Sequence, residues 1–230
     1  EPGMPEIFIN GQAIEARDDQ TVMEVAREHG HFIPYFCWHP QLSVVGNCRM
    51  CLVEVEGRGL DIACNMPVAK GMQVFTNSEE VQAHRKAILQ FITLNHPVDC
   101  GICDKAGECM LQDHHYAYNG EPRKSRDGKV HATKFFPLSE RIVLDNERCI
   151  LCSRCVRFCD EVTGTGELGI FNRGDQSEIG LFPGKTLENK YSGNVIDICP
   201  VGALTDREFR FQVRVWYLDT ARSVCNGCAR

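Results

Sequence analysis

Apolar and polar residues alternate over Glu6-Ile7-Phe8-Ile9 and again over Gln12-Ala13-Ile14-Glu15-Ala16, with Asn10-Gly11 between them. Two short strands joined by Asn-Gly predict a hairpin with a type I′ turn, whose two central residues need positive φ. Thr21-Val22-Met23-Glu24 then reads as a capping box, with Val22, Val25 and Ala26 on one helical face and Gly30 placed to stop the helix. Cys51-Leu52-Val53-Glu54-Val55 and Met72-Gln73-Val74-Phe75 are further strands. A hairpin, a helix and later strands around a Cys-bearing loop predict an α+β unit of β-grasp type over residues 1–77.

A second helix opens near Asn77 or Ser78, with Glu80 placed for a capping box and Val81, Ile88, Leu89 and Ile92 assigned to the buried face. It ends near Asn95, because Pro97 disfavours helical geometry in the residue before it, so His96 sits at a helix exit. That helix and the Cys-bearing segment after it make up 78–118, followed by a linker over 119–140. Asn119-Gly120, Pro122 and Asp127-Gly128, with the basic Arg123, Lys124, Arg126, Lys129 and Lys134, read as a surface loop, either solvated or a docking contact. Residues 141–216 form a small, mostly irregular and helical unit in which the Gly-rich 164–194 is a long connection; 217–230 begins a further Cys-bearing unit.

Fourteen cysteines among 230 residues change this picture. They make up about 6%, below the roughly 8–10% of a disulfide-stapled scaffold. The opening Glu1-Pro2-Gly3-Met4-Pro5-Glu6 lacks the basic and apolar regions of a secretory signal, and no run of about 18 apolar residues predicts a membrane span. Grouped cysteines in a reducing compartment point to metal or redox chemistry. A net charge of −6 argues against a nucleic-acid binder, which normally shows a basic stripe.

The first group, Cys37, Cys48, Cys51 and Cys64, supplies the four thiolates of a 2Fe–2S rhombus, although ten residues separate its first two members where a plant-type ferredoxin has four. Four-cysteine zinc is the alternative. Cys100, Cys103 and Cys109 provide three of the four ligands a 4Fe–4S cubane needs. His96 is the nearest imidazole; His114 and His115 come next, and the hard carboxylates of Asp99 and Asp104 suit such a cluster less well. Cys149, Cys152 and Cys155, completed by the remote Cys199-Pro200, follow the bacterial ferredoxin arrangement for a second cubane. Cys159 is left over as a buried thiol, and Cys225 and Cys228 begin a motif for which a further cluster is expected if the chain is the start of a longer one.

This order of motifs resembles the N-terminal iron–sulfur region of the G component of respiratory complex I, the NADH:quinone oxidoreductase, over nearly the whole chain. The stretches that carry it are 46–55, 96–113, 148–158 and 192–205. The resemblance implies one 2Fe–2S cluster on Cys37, Cys48, Cys51 and Cys64. It implies two 4Fe–4S clusters, one on His96, Cys100, Cys103 and Cys109, the other on Cys149, Cys152, Cys155 and Cys199. It further implies a flavin-containing partner that oxidises NADH at FMN, other peripheral-arm iron–sulfur subunits, an indirect link to the membrane arm, and a peripheral place on the cytoplasmic side of a bacterial inner membrane. Related modules occur in NAD-linked hydrogenases and formate dehydrogenases. Neither a Gly-x-Gly-x-x-Gly fingerprint nor a Walker-A loop is present, and no catalytic residues are assigned; the expected role is electron relay within an oxidoreductase.

Overall fold

The computed structural model describes residues 5–122 and 124–222. Strand β1 (Glu6–Ile9) pairs antiparallel with β2 (Gln12–Glu15), and Asn10 and Gly11 take φ values of 52° and 83°, as a type I′ turn requires. Helix α1 (Val22–Glu28) starts at the predicted capping box: the Glu24 N–H donates to Thr21 Oγ1 and the Thr21 N–H donates to the Glu24 carboxylate. At the other end the N–H groups of Gly30 and His31 donate to the carbonyls of Arg27 and Ala26, a Schellman closure made possible by the Gly30 φ of 77°. Thr21→Ala is expected to cost about 1 kcal/mol of stability, read as a lower thermal unfolding midpoint.

Strands β3 (Leu52–Val55), β4 (Gly59–Ile62) and β5 (Gln73–Phe75) complete a sheet in the order β2-β1-β5-β3-β4, with β1 and β5 parallel. The sequence reading did not anticipate β4. Its Gly59 and Asp61 interrupt the apolar pattern, and pairing with β3, Val55 opposite Gly59, supplies what periodicity lacks. Ile7, Ile9, Val22, Val25, Val53 and Val74 fill this first core.

Helix α2 (Glu79–Asn95) is capped by Ser78, whose Oγ accepts from the Val81 N–H. Val81 is therefore the third helical residue, Glu80 falls one place short, and the predicted capping box does not form. The buried face is Val81, Arg85, Leu89 and Thr93, whereas Ile88 and Ile92 are half-buried at the edge of the second core. Arg85 takes its place in that stripe because its Nη2 donates to the Leu52 carbonyl at 2.9 Å and its guanidinium lies over the Tyr118 ring.

Beyond α2 come α3 (Met110–His114), β6 (Phe136–Pro137), β7 (Ile142–Leu144), α4 (Arg154–Arg157), β8 (Leu168–Phe171), β9 (Glu178–Leu181), α5 (Asn194–Ile198) and β10 (Leu204–Asp206). Helices α3 and α4 each run on into one π-helical turn. Phe36, Leu89, Leu111, Leu144, Leu168 and Val195 share a second core, so the segments carrying the second and third cysteine groups pack as one body. Within the expected long connection over 164–194, residues 182–193 contain neither helix nor strand, but 168–181 form a β8–β9 hairpin with Leu168 and Ile179 buried. Gly169 and Gly180 stand opposite each other in it. They masked the strands in the sequence, yet the rings of Phe182 and Phe171 lie where their Cβ atoms would be. The described part of 120–134 contains neither helix nor strand and crosses the end of α2, Lys129 donating to the His96 carbonyl and the Val130 N–H to Asn95 Oδ1.

Candidate metal centres

In the first group Cys37 follows α1, Cys48 and Cys51 lead into β3, and Cys64 lies just after β4. They come together as two hydrogen-bonded pairs, Cys37 with Cys48 and Cys51 with Cys64. Two thiol pairs are the donor set that a two-iron rhombus takes. The Cys48 thiol, backbone N–H groups of Cys48 and Asn47, and the Arg157 charge hold Cys37 down at about 5 against burial, while Cys48 is pushed up by its bond to Cys37 and by burial. Cys51 is pushed up likewise by Cys64. Gly46, at φ 63°, is needed at the entry to Cys48, since a Cβ there would stand 2.8 Å from Ile62 Cδ1.

His96 caps α2, and burial above all, helped by Lys129, Arg148 and Lys134 and opposed by Asp99, lowers its pKa to about 4. The imidazole is thus neutral at physiological pH, and its Nδ1 is buried without a hydrogen-bond partner. The other candidates are engaged elsewhere: His114 Nε2 lies 3.3 Å from the Tyr35 carbonyl, His115 Nδ1 faces Asn119, Asp99 grips Arg148, and Asp104 accepts from the Phe211 N–H. Backbone N–H groups are aimed at sulfur here too, from Lys105 to Cys103 and from Leu111 and Gln112, in the first turn of α3, to Cys109. Burial nevertheless raises both thiols, Cys109 to about 11.

Cys149, Cys152, Cys155 and the remote Cys199 line one cavity, closed by Ile179 and Leu204. Leu151 and Ser153 adopt φ of 53° and 59°, unusual for residues with side chains, and the turn they make directs the Leu151 N–H onto Cys149 Sγ at 3.4 Å. Burial raises all three triplet thiols, Cys152 to about 12. Among the described residues no three His, Cys, Asp or Glu side chains close on a single ion-sized point; these four thiols surround a cavity instead. Cys159 does not line it: its fully buried thiol is bonded to Glu167, and burial raises it to about 12. Cys225 and Cys228 lie outside the described residues, as does Arg123.

The groups touch in an order different from that of the sequence. Arg157 donates to the carbonyls of both Cys37 and Cys152, and Asn47 Nδ2 to the Leu151 carbonyl at 3.1 Å, joining the first group to the third. Cys109 Sγ lies 3.8 Å from the Pro200 carbonyl, and the Met110 N–H donates to the same oxygen, joining the third group to the second.

Three family models cover the groups in turn: a 2Fe-2S iron-sulfur cluster binding domain over 4–79, the NADH-ubiquinone oxidoreductase-G iron-sulfur binding region over 85–123, and the ferredoxin-like domain of NADH-quinone oxidoreductase subunit 3 over 139–205. The chain is 42% identical over 224 residues to the NADH-ubiquinone oxidoreductase 75 kDa subunit of Reclinomonas americana, covering 96% of this chain and 32% of that protein. It is 41% identical over 222 residues to the mitochondrial NADH dehydrogenase (ubiquinone) iron-sulfur protein 1 of Solanum tuberosum, covering 95% and 30%. The crystal structure of an NAD+-reducing [NiFe]-hydrogenase in the H2-reduced state aligns with a TM-score of 0.82 and 31% identity over 92% of this chain and 91% of that one. The chain belongs to the family of the N-terminal iron–sulfur region of the 75 kDa subunit of NADH-quinone oxidoreductase.

It spans about a third of the length of the curated relatives it matches. Membership of the 75 kDa subunit family places iron–sulfur cofactors on this chain and favours them over zinc. The residues fit such groups: paired thiols in the first group, a free imidazole nitrogen in the second, a four-thiol cavity in the third, and backbone N–H groups turned toward sulfur in each. Sequence reading missed the buried arginines of this 75 kDa subunit relative. Arg148, Arg154 and Arg157 are 2%, 5% and 8% exposed; each lies within two residues of a cysteine, and that adjacency was the available signal.

Proposed function

We propose that the chain relays single electrons within an NADH:quinone oxidoreductase, from a flavin-containing NADH-oxidising partner toward quinone. The proposed ligand sets are Cys37, Cys48, Cys51 and Cys64 for one 2Fe–2S cluster, His96, Cys100, Cys103 and Cys109 for one 4Fe–4S cluster, and Cys149, Cys152, Cys155 and Cys199 for the other. When bound, such clusters supply reversible one-electron uptake at potentials set by ligand type, hydrogen bonding and burial. The chain's residues fix the spacing: the Arg157 and Asn47 contacts hold the first group against the third, and the Pro200 carbonyl holds the third against the second. The observation that carries the reading is the convergence of Cys199 with the distant triplet on one cavity, between the other two groups. Electron passage then runs through the third group in the middle.

The five-stranded order with β1 and β5 parallel and α1 packed on the same core supports a β-grasp arrangement for residues 1–77. No helix among the described residues is long and apolar enough to cross a membrane, and partner subunits of the peripheral arm would hold the chain at the cytoplasmic face of the inner membrane. A second reading, the equivalent relay subunit of an NAD-linked hydrogenase, is favoured by the 31% identical hydrogenase chain. Iron and acid-labile sulfide analysis is expected to give about ten of each per chain; zinc without labile sulfide would refute the proposal. Gentle affinity purification separates the two readings by the company the chain keeps, membrane subunits or a hydrogenase large subunit.

A further inference from the structure

Arg148 immediately precedes Cys149, yet its side chain reaches the segment of the second group. It is 2% exposed. Its Nε and Nη2 grip both oxygens of Asp99, the residue before Cys100, at 3.1 and 2.7 Å, and Nε lies 3.6 Å from the Asp145 carboxylate. Both carboxylates thus sit on the Nε side of the guanidinium. The remaining nitrogen, Nη1, is buried and has no hydrogen-bond partner. A guanidinium presents its N–H groups in a rigid fork and does not shed its charge at physiological pH. A charged donor left unpaired in the interior is costly, and such a group in a native fold calls for a partner.

The nearby groups identify that partner. Burial opposes the charge on Arg148, but Asp99 and then Cys103 outweigh it, and Arg148 in turn draws the Cys103 thiol down against its own burial. Arg148 is also among the cations acting on His96, whose Nδ1 is likewise buried and unpartnered. A cation clamped by Asp99 and Asp145, beside Lys134 and Arg210, therefore keeps Nη1 as its unclamped corner, and Cys103 of the second group is among the groups that act on it.

We infer that Arg148 Nη1 donates a charge-assisted hydrogen bond to sulfur of the four-iron cluster held by His96, Cys100, Cys103 and Cys109, and raises that cluster's reduction potential. The inference rests on the ligand set proposed above. A positive donor stabilises the extra negative charge of the reduced cluster, the same direction in which a neutral histidine ligand acts. The two devices reinforce each other at one centre.

The test is a redox titration of the assembled complex followed by electron paramagnetic resonance, with wild type, Arg148→Lys and Arg148→Gln. Arg148→Gln is expected to lower the reduction equilibrium constant of the second-group signal about tenfold, 59 mV for one electron. Arg148→Lys should give a smaller fall, and the first-group 2Fe–2S signal should not move. In wild type exchanged into D2O, the second-group signal should show coupling to an exchangeable deuteron that Arg148→Gln lacks. A second-group signal at unchanged potential in both variants, or a wild-type signal with no exchangeable coupling, overturns the inference. If the Gln variant does not assemble, the Lys variant and the wild-type deuteron measurement still decide. Absence of any second-group four-iron signal in wild type overturns the ligand set itself, a separate outcome.

Discussion

Cys152→Ala is expected to reduce the iron content from about ten to about six per chain and to stop electron passage between the first and second groups. The effect should exceed the roughly 10–100-fold that loss of an outer-shell partner costs, because Cys152 is itself a proposed ligand and its group lies between the other two. No neighbouring side chain can take its place. Leu151 and Ser153 on either side are both in the left-handed region, which fixes where residue 152 points, and Cys159, the spare thiol among the described residues, is held by Glu167. Of the three cysteines that remain, Cys155 and Cys199 are buried and Cys149 is half-buried, and the thiols of Cys149 and Cys155 have their pKa values raised. Three thiols are one ligand short of a cubane, and metal must displace the protons of Cys149 and Cys155 against that raised pKa, so the site no longer holds its four irons. Metal analysis and paramagnetic resonance of the variant check this: the first-group signal should persist and reduce normally, while the second-group signal no longer follows it during turnover. Full iron content, or undiminished electron transfer with the third-group signal missing, would contradict the central placement.

Where local chemistry decides local structure, the chain was legible. Asn10-Gly11 admits few turns other than the one observed, and Thr21 with Glu24 fixes the start of α1. Cysteine spacing located the candidate groups because cluster geometry constrains the loop that wraps it. What stayed hidden depends on partners distant in sequence. Strand β4 is apolar at only Leu60 and Ile62 and is made a strand by β3. The glycines of the β8–β9 hairpin looked like breakers until Phe171 and Phe182 were seen to cover them. Arg85 is charged and falls outside the apolar face read from the sequence, Val81, Ile88, Leu89 and Ile92, but the Leu52 carbonyl and the Tyr118 ring draw it inward. The spatial order of the groups was invisible for the same reason: hydrogen bonds between residues 90 to 120 positions apart, from Met110 to Pro200 and from Arg157 to Cys37, set it.

Gly202→Ala is expected to cost the second group its cluster although residue 202 belongs to the Cys199-Pro200 segment of the third. A Cβ on Gly202 would collide with Cys103 Sγ and lie 3.2 Å from Lys105 Cβ, inside the 3.5–4.0 Å or so at which heavy atoms pack favourably. Neither side yields easily. Cys103 is held from behind by Arg214, whose Nη1 donates to its carbonyl at 2.7 Å, and its sulfur accepts the Lys105 N–H. On the other side, the Pro200 carbonyl accepts from Met110, and Val201 and Ala203 are buried on either flank of the glycine. Overpacking of this kind costs about 1–3 kcal/mol, and the displaced atom here is a proposed ligand, so strain is relieved by moving Cys103 off its site. The backbone at Gly202 is not in the left-handed region, so the effect is steric and owes nothing to glycine's conformational freedom. Gly193→Ala, where nothing lies within 4 Å of the added carbon, is the matched control and is expected to leave both iron content and stability close to wild type. Selective loss of the second-group signal in Gly202→Ala, with the third-group signal retained, is the expected result. Retention of both signals at full iron content would mean that Cys103 gives way without losing its cluster, and would count against the close packing of the two groups as the element that fixes their separation.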